Sequence, residues 1–151
     1  MRQTNMIIKK TLFLLAICSL FSLNACTGAL SVRQKLTYYS DKSVYISSKG
    51  TVTYIGYNEE RSVLYFSFSE LQGPYSDNTF KIVGDNLGIA QKRGIDTKIS
   101  VGDQIEFLSA PRYFGDGYVM PIVELSANGD KLLDFEEGYS NLLKWIKEGN
   151  Y

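Results

Sequence analysis

Residues 62–69 (SVLYFSFS) constrain the fold of this chain more than any other stretch. Their side chains alternate in two sets, Leu64, Phe66 and Phe68 in the first, and Val63, Tyr65 and Ser67 in the second. A period of two is that of a β-strand whose two faces meet different surroundings. We expect the first set to face a hydrophobic core, so this part of the chain must fold as a sheet.

Further strands are predicted by segments rich in β-branched and aromatic residues, at 51–57, 79–83, 104–109, 118–126 and 131–133. Turn signals separate them, and Asn128–Gly129 is the strongest hairpin dipeptide. Ser48–Gly50 predicts a turn before the first of these strands, and Pro121 predicts an edge or a bulge. Residues 36–46 are compatible either with an early strand from Val44 or with a short helix.

A short helix is predicted between the third and fourth strands. Residues 86–93 carry Leu87, Ile89 and Ala90 at roughly helical spacing, behind Asn86 as a candidate N-cap.

A second helix is predicted near the end of the sequence. Asp134 and Glu137 have the spacing of a capping box, and Gly149 is placed to end the helix. The apolar residues fall at spacings of four, three and four, which puts them on one face: Phe135, Tyr139, Leu142 and Ile146. We expect this face to pack against the sheet or to close one end of it. Trp145 lies off the face and is predicted to be the most exposed large aromatic residue.

Five or six strands, a crossover helix and the Val-Gly-Asp-x-Ile-x-Phe run at 101–107 resemble an OB-fold over residues 50–133. The resemblance implies a mainly β fold, a small antiparallel OB-like barrel of five to six strands with a C-terminal helix. It also implies that strands two and three form a face of the kind that commonly binds oligonucleotides or oligosaccharides. Another small β-barrel or a sandwich fits the same pattern.

The first 25 residues have the three parts of an export signal. The start carries three basic residues and no acidic one, and residues 11–23 form an apolar core too short for a permanent membrane span. The last four residues up to Cys26 (LNAC) resemble the lipobox of bacterial lipoproteins. The resemblance implies cleavage before Cys26 and a diacylglycerol thioether on this cysteine, often with a further fatty acid such as palmitate on the new amino terminus. An ordinary secretory signal with a chance cysteine is the alternative.

A lipid on Cys26 would attach the chain to a membrane, because two or three acyl chains bind stably where one binds marginally. By the same resemblance, Thr27 in place of Asp favours the outer membrane of a two-membrane bacterium, with the domain facing the periplasm. The predicted organisation is a signal peptide at 1–25, a lipidated N-terminus and tether at 26–40, and a single domain at 41–151.

Composition excludes several kinds of site. The chain has no histidine and two cysteines, Cys18 in the signal and Cys26 in the lipobox. The mature domain therefore has no residues for Cys-His or Ser-His-Asp catalysis, for zinc sites built on His or Cys, or for a disulfide. Three of the 16 basic residues leave with the signal, so 13 remain against 16 acidic residues, a net charge of −3. Nucleic-acid binding, which depends on Lys and Arg, is not expected; no cofactor or metal is predicted.

Tyrosine supplies the candidate ligand-binding residues. All eleven tyrosines follow Cys26, and five of them could form an aromatic face for a sugar or a peptide: Tyr54, Tyr57, Tyr65, Tyr113 and Tyr118. Tyrosine also suits half-buried strand positions for packing alone, and this ordinary interpretation stays open.

Charged residues give weaker candidates. Several aspartates beside glycine or asparagine could bind calcium, but turn chemistry also explains them. Glu59–Glu60 and Glu136–Glu137 could form a glycosidase pair, although hairpin tips and helix N-termini favour acids for ordinary reasons. The basic residues of the crossover are interpreted as a solvated face: Lys92, Arg93 and Lys98.

Two functions are compatible with the sequence. The preferred one is a non-enzymatic envelope lipoprotein whose β-domain binds a protein or an envelope polymer in the periplasm. The alternative is a carboxylate-dependent enzyme acting on envelope glycans, which needs two carboxylates about 5 to 9.5 Å apart in a cleft.

Overall fold

The computed structural model describes residues 31–73, 75, 79–111 and 119–150. The elements follow in chain order: α1 (Val32–Tyr39), a 3-10 turn (Lys42–Val44), β1 (Ile46–Asn58), β2 (Val63–Ser69), β3 (Thr79–Val83), α2 (Gly84–Lys92), α3 (Ile95–Lys98), β4 (Gln104–Ser109), β5 (Met120–Ala127), β6 (Asp130–Leu133) and α4 (Phe135–Lys147). The prediction of a mainly β chain with a helical crossover after the third strand and a final helix is confirmed. The crossover holds two short helices instead of one.

The six strands form one sheet whose pairings close into a ring. β1 is 13 residues long, and it pairs with β4 along its first half and with β2 along its second half. β2 pairs with β3, β4 pairs with β5, and β6 pairs with the far end of β5, all antiparallel. The ring closes where β3 and β5 run parallel, with Phe80 opposite Met120 and Lys81 opposite Pro121.

The predicted turn at Ser48–Gly50 is wrong, because these residues lie within β1. Gly50 pairs with Ile105 on β4, next to the point where β1 exchanges β4 for β2 as its partner. A Cβ on Gly50 would lie 3.0 Å from the Cβ of Phe68. The glycine therefore allows β1 to pass close to a core aromatic residue, which is a requirement of packing and not of a turn.

A hydrophobic core fills the inside of the ring. Leu64, Phe66 and Phe68 are all buried there, which confirms the predicted register of β2. Phe68 stacks on Phe107 with 4.8 Å between the ring centroids, and Phe80 meets Phe107 edge-on at 4.9 Å. Offset and edge-on contacts of this kind add a favourable electrostatic contribution to the burial of the rings.

A second hydrophobic cluster lies on the outer surface of the same sheet. α4 places its predicted apolar face there, with Leu142 and Ile146 buried. The helix approaches β5 so closely that a Cβ on Gly138 would collide with the backbone carbonyl of Val123. Of the two predicted placements for this helix, packing against the sheet is therefore the one observed.

The residues around α1 complete this outer cluster. Tyr39, at the end of α1, is fully buried. Tyr45 follows the 3-10 turn and packs edge-on against two rings of α4, at 5.6 Å from Phe135 and 5.9 Å from Tyr139 between centroids. Residues 32–39 lie within the predicted tether at 26–40, and their last four also lie in the stretch 36–46 that was compatible with a short helix. They form a helix that contacts α4.

The start of α4 differs from the predicted capping box. The Asp134 carboxylate accepts a hydrogen bond from the backbone N–H of Glu136, so Asp134 is the N-cap. Glu137 does not reach back to the cap, because its carboxylate forms an ion pair with Arg93 at 3.0 Å. Among the described residues, no helix is both long and apolar enough to cross a bilayer.

Candidate binding surface

The described part of the chain contains three of the five candidate tyrosines. Tyr54 and Tyr57 on β1 are 55% and 48% exposed, whereas Tyr65 on β2 is half-buried. The other two, Tyr113 and Tyr118, lie outside the described residues.

These three tyrosines do not share one face of the sheet. Directly paired residues of antiparallel strands point to the same side. Tyr57 pairs with Leu64, which faces the core, so Tyr57 belongs to the inner face at the end of β1. Tyr65 pairs with Gly56 on the outer face, and Tyr54, two residues before Gly56, shares that face. The predicted tyrosine surface is therefore divided, with Tyr54 and Tyr65 on one side and Tyr57 on the other.

We call the outer-face positions around Tyr54 the Tyr54 platform: Tyr54, Gly56, Tyr65, Ser67 and Thr79. Ser67 is the paired neighbour of Tyr54 on one side and of Thr79 on the other. A Cβ on Gly56 would collide with the hydroxyl and ring of Tyr54. The ring therefore lies down along β1, in the space that the side chain of any larger residue at position 56 would fill.

The platform ends at a buried lysine that a tryptophan covers. Lys81 pairs with Tyr65 on the outer face and is only 2% exposed. Its Nζ lies 5.5 Å from the centroid of the Trp145 ring, within cation–π range. Trp145 also lies against Gly84, where a Cβ would be 2.7 Å from the tryptophan Cδ1.

Trp145 is half-buried, so the prediction that it is the most exposed large aromatic residue is wrong. Sequence reasoning also missed Lys81. The signal for it was a lysine in the middle of the apolar run Thr79–Val83, a position where a long side chain needs a covering partner.

A polar groove of about 240 Å³ lies between the start of α2 and the end of α4, lined by Gly84, Asp85, Asn141, Lys144, Trp145, Glu148 and Asn150. Lys144 Nζ donates to the Asp85 carboxylate at 2.8 Å, and this hydrogen bond raises the pKa of Lys144. Behind the groove, the buried Asn86 donates to the carbonyl of Gly138 at 2.8 Å and accepts from Asn141 at 3.0 Å. α2 begins two residues before Asn86, so Asn86 is not the N-cap that was predicted. Its two hydrogen bonds instead fasten α2 to α4.

A second groove, of about 340 Å³, lies beside the 3-10 turn and is lined by Tyr38, Ser43, Val44, Ile46 and Pro111. At its rim, Asp41 accepts hydrogen bonds from the hydroxyl and the backbone N–H of Ser43. These bonds lower the pKa of Asp41 and fix the start of the turn.

Tyr75 fastens the β2–β3 connection to the edge shared by β1 and β4. Its ring packs edge-on against Phe80 with 5.0 Å between centroids. Ser48 Oγ donates to the Tyr75 hydroxyl at 3.0 Å, and that hydroxyl lies 3.2 Å from each of the carbonyl oxygens of Ile46 and Ser109. Burial raises the pKa of Tyr75. Its hydroxyl therefore serves to hold this connection against β1 and β4.

Three of the acidic candidates are held in ion pairs: Glu136 with Lys42 at 2.6 Å, Glu137 with Arg93 at 3.0 Å, and Asp130 with Lys98 at 2.7 Å. Glu59 and Glu60 are exposed in the connection between β1 and β2. Across the described ranges, no three His, Cys, Asp or Glu side chains are grouped so that they could hold a metal ion.

Comparison with protein-family models and with curated proteins finds no match for this chain. Its function has to be inferred from its own residues. Of the surfaces described, the Tyr54 platform is the most distinctive, because it combines an exposed aromatic ring, a glycine that leaves room for that ring, and the hydroxyl group of the neighbouring Ser67.

Proposed function

We propose that this chain is a lipid-anchored bacterial envelope protein whose mature domain is a non-enzymatic binding module. The observation that carries the proposal is the Leu23–Cys26 lipobox, which follows a basic start and a 13-residue apolar core. Two or three acyl chains on Cys26 supply stable membrane attachment. Thr27 after the cysteine favours the outer membrane, with the domain in the periplasm.

We propose further that the domain is OB-like. Support comes from the order of strand pairing, β1–β2–β3–β5–β4 and back to β1, and from the helical crossover between β3 and β4. An OB-fold is a five-stranded Greek-key barrel, and β6, α1 and α4 would be additions to that plan. A fold does not confer a function, so the binding role rests on the surface and not on the likeness.

The proposed ligand is a protein or an envelope polymer. Tyr54 offers an exposed aromatic ring of the type found at binding surfaces. Nucleic acid is disfavoured by the net charge of −3 after Cys26. An enzyme acting on envelope glycans is the weaker proposal, because Glu136 and Glu137 already pair with cations.

The test of the anchor is the intact mass of the protein made in a two-membrane bacterium. The wild-type chain should lack residues 1–25 and carry the mass of a diacylglycerol and a fatty acid. Cys26→Ser should remain an uncleaved, unmodified precursor, because the thioether needs the cysteine sulfur. Cys18→Ser is the matched control and should be processed like the wild type. A wild-type mass without added lipid would contradict the proposal.

A further inference from the structure

We infer that the Tyr54 platform binds an uncharged saccharide by stacking a sugar ring on Tyr54. The inference rests on the proposed binding function and names the class of ligand for it. Tyr54 is more than half exposed, and its ring lies down along β1 over Gly56. A sugar ring has C–H groups on its faces, and the negative face of an aromatic ring attracts such polarised groups.

Polar groups suited to the hydroxyls of a sugar flank this ring. Ser67 is the neighbour of Tyr54 across the sheet. Tyr65 adds a second, half-buried phenol beside Gly56 on the same face. Hydroxyl groups both donate and accept hydrogen bonds, as the hydroxyls of a saccharide do. A stacking surface and adaptable hydrogen-bonding groups therefore lie side by side.

The absence of a formal charge from the platform sets the class of the saccharide. Lys81, two residues after Thr79 on β3, is buried with its Nζ under the ring of Trp145. An acidic polymer or a nucleic acid would need accessible Lys or Arg at the site of contact. A neutral sugar needs none, so an uncharged saccharide fits this surface best.

The test compares Tyr54 with Tyr57, a similarly exposed tyrosine of the same strand that belongs to the opposite face. The full chain, solubilised in a detergent without a sugar headgroup, is titrated calorimetrically with the tetrasaccharide of β-1,4-linked N-acetylglucosamine. The wild type is expected to bind it. Tyr54→Ala should weaken binding about tenfold or more, the scale for removing an aromatic anchor. Tyr57→Ala should stay within about twofold of the wild type, because exposed positions away from the contact have small effects.

Gly56→Ala is the second variant, because it keeps both tyrosines but adds the methyl group that collides with the Tyr54 ring. It should weaken binding as well, and a melting curve of each variant separates loss of the site from loss of the fold. Three results would overturn the inference: no tetrasaccharide binding by the wild type, equal losses in Tyr54→Ala and Tyr57→Ala, or a protein partner that depends on Tyr54 while no saccharide binds. None of these results bears on the lipid, which the mass of Cys26→Ser tests separately.

Discussion

Gly88 and Gly138 are both helical glycines, yet a methyl group would meet different surroundings at each. A Cβ on Gly138 would collide with the carbonyl of Val123, because α4 lies directly on β5. A Cβ on Gly88, in α2, would meet nothing within 4 Å beyond its chain neighbours and the backbone of its own helix. The first glycine is required by packing, and the second only makes its helix weaker.

The two glycines therefore predict opposite effects of the same substitution. Gly138→Ala should lower the free energy of unfolding by about 1 to 3 kcal/mol, the cost of forcing a group into a packed interface. Gly88→Ala should raise it by up to about 1 kcal/mol, because alanine is the better helix former. Denaturant unfolding followed by circular dichroism measures both changes. A neutral Gly138→Ala would mean that α4 does not lie on β5 at this distance.

Tyr75 predicts a dependence of stability on alkaline pH. Below about pH 10, the ordinary pKa of tyrosine, both the folded and the unfolded chain hold the phenol proton of Tyr75. The contribution of Tyr75 to the free energy of unfolding is then complete. Above that pH the unfolded chain releases the proton while the partly buried Tyr75 of the folded chain keeps it, so the free energy of unfolding falls as pH rises.

Tyr75→Phe removes both the proton and the hydrogen bonds to Ser48 and to the carbonyls of Ile46 and Ser109. At neutral pH it should cost about 0.5 to 1.5 kcal/mol for each bond that contributes. Above about pH 10 its stability should fall less steeply than that of the wild type. Unfolding curves collected across this range measure the slopes, and parallel slopes would show that the Tyr75 hydroxyl is not protected in the folded state.

At the scale of single elements, alternation and turn residues predicted the strands well, because a strand with one buried face repeats every two residues. Leu64, Phe66 and Phe68 are inward as predicted. Gly50 misled the prediction, because a glycine placed for close contact in a long strand has the same sequence signature as a glycine in a turn. The contact that explains it, with Phe68, joins residues distant in sequence.

α1 and α3 were harder to predict from local pattern than α2 and α4. α1 has polar residues on most of its surface, so its burial of Tyr39 depends on contacts made by α4, more than ninety residues later. The division of the tyrosine surface was readable in principle: Tyr54 and Tyr57 are three residues apart, an odd spacing that places them on opposite faces of a strand. The position of the Tyr54 ring over Gly56 was not readable, because it depends on the conformation of one side chain.

α4 is predicted to be part of the folded domain and not a detachable tail. Removing residues 136–151 takes away Leu142 and Ile146 and uncovers the outer cluster on β5. Stability should fall by several kcal/mol, at ~1.5–3 kcal/mol for each buried apolar side chain. Thermal unfolding of the truncated chain measures the loss.

Removal of residues 149–151 alone, beyond the end of α4, is the control and should leave the melting temperature nearly unchanged. An unmoved melting curve after the longer truncation would make α4 a candidate docking element.

At the scale of the whole molecule, the two hydrophobic clusters lie on opposite sides of the same strands. Neighbouring residues of β2 illustrate this: Leu64 belongs to the inner cluster and Val63 to the outer one. If one cluster came apart, the strands that also carry the other cluster would lose the packing on one of their faces. We therefore expect the two clusters to unfold together.

Trp145, the single tryptophan, lies in the outer cluster and reports on it by fluorescence. Far-UV circular dichroism reports mainly on the sheet and helices as a whole. The two signals should give one midpoint in denaturant, as in a two-state transition. Separate midpoints would show that α4 and its cluster melt independently of the ring of strands.

The point where α1 begins sets how far the domain can stand from a membrane. Ser31 caps α1, and five residue steps separate it from Cys26. A fully extended chain covers at most about 3.6 Å per residue, so a lipid on Cys26 would hold the first helix within about 18 Å of the bilayer. The domain would then stay close to the lipid surface and could not reach ligands far from it. Any ligand of the Tyr54 platform would have to arrive at that surface, and glycans that are themselves attached close to the membrane would meet it at high local concentration.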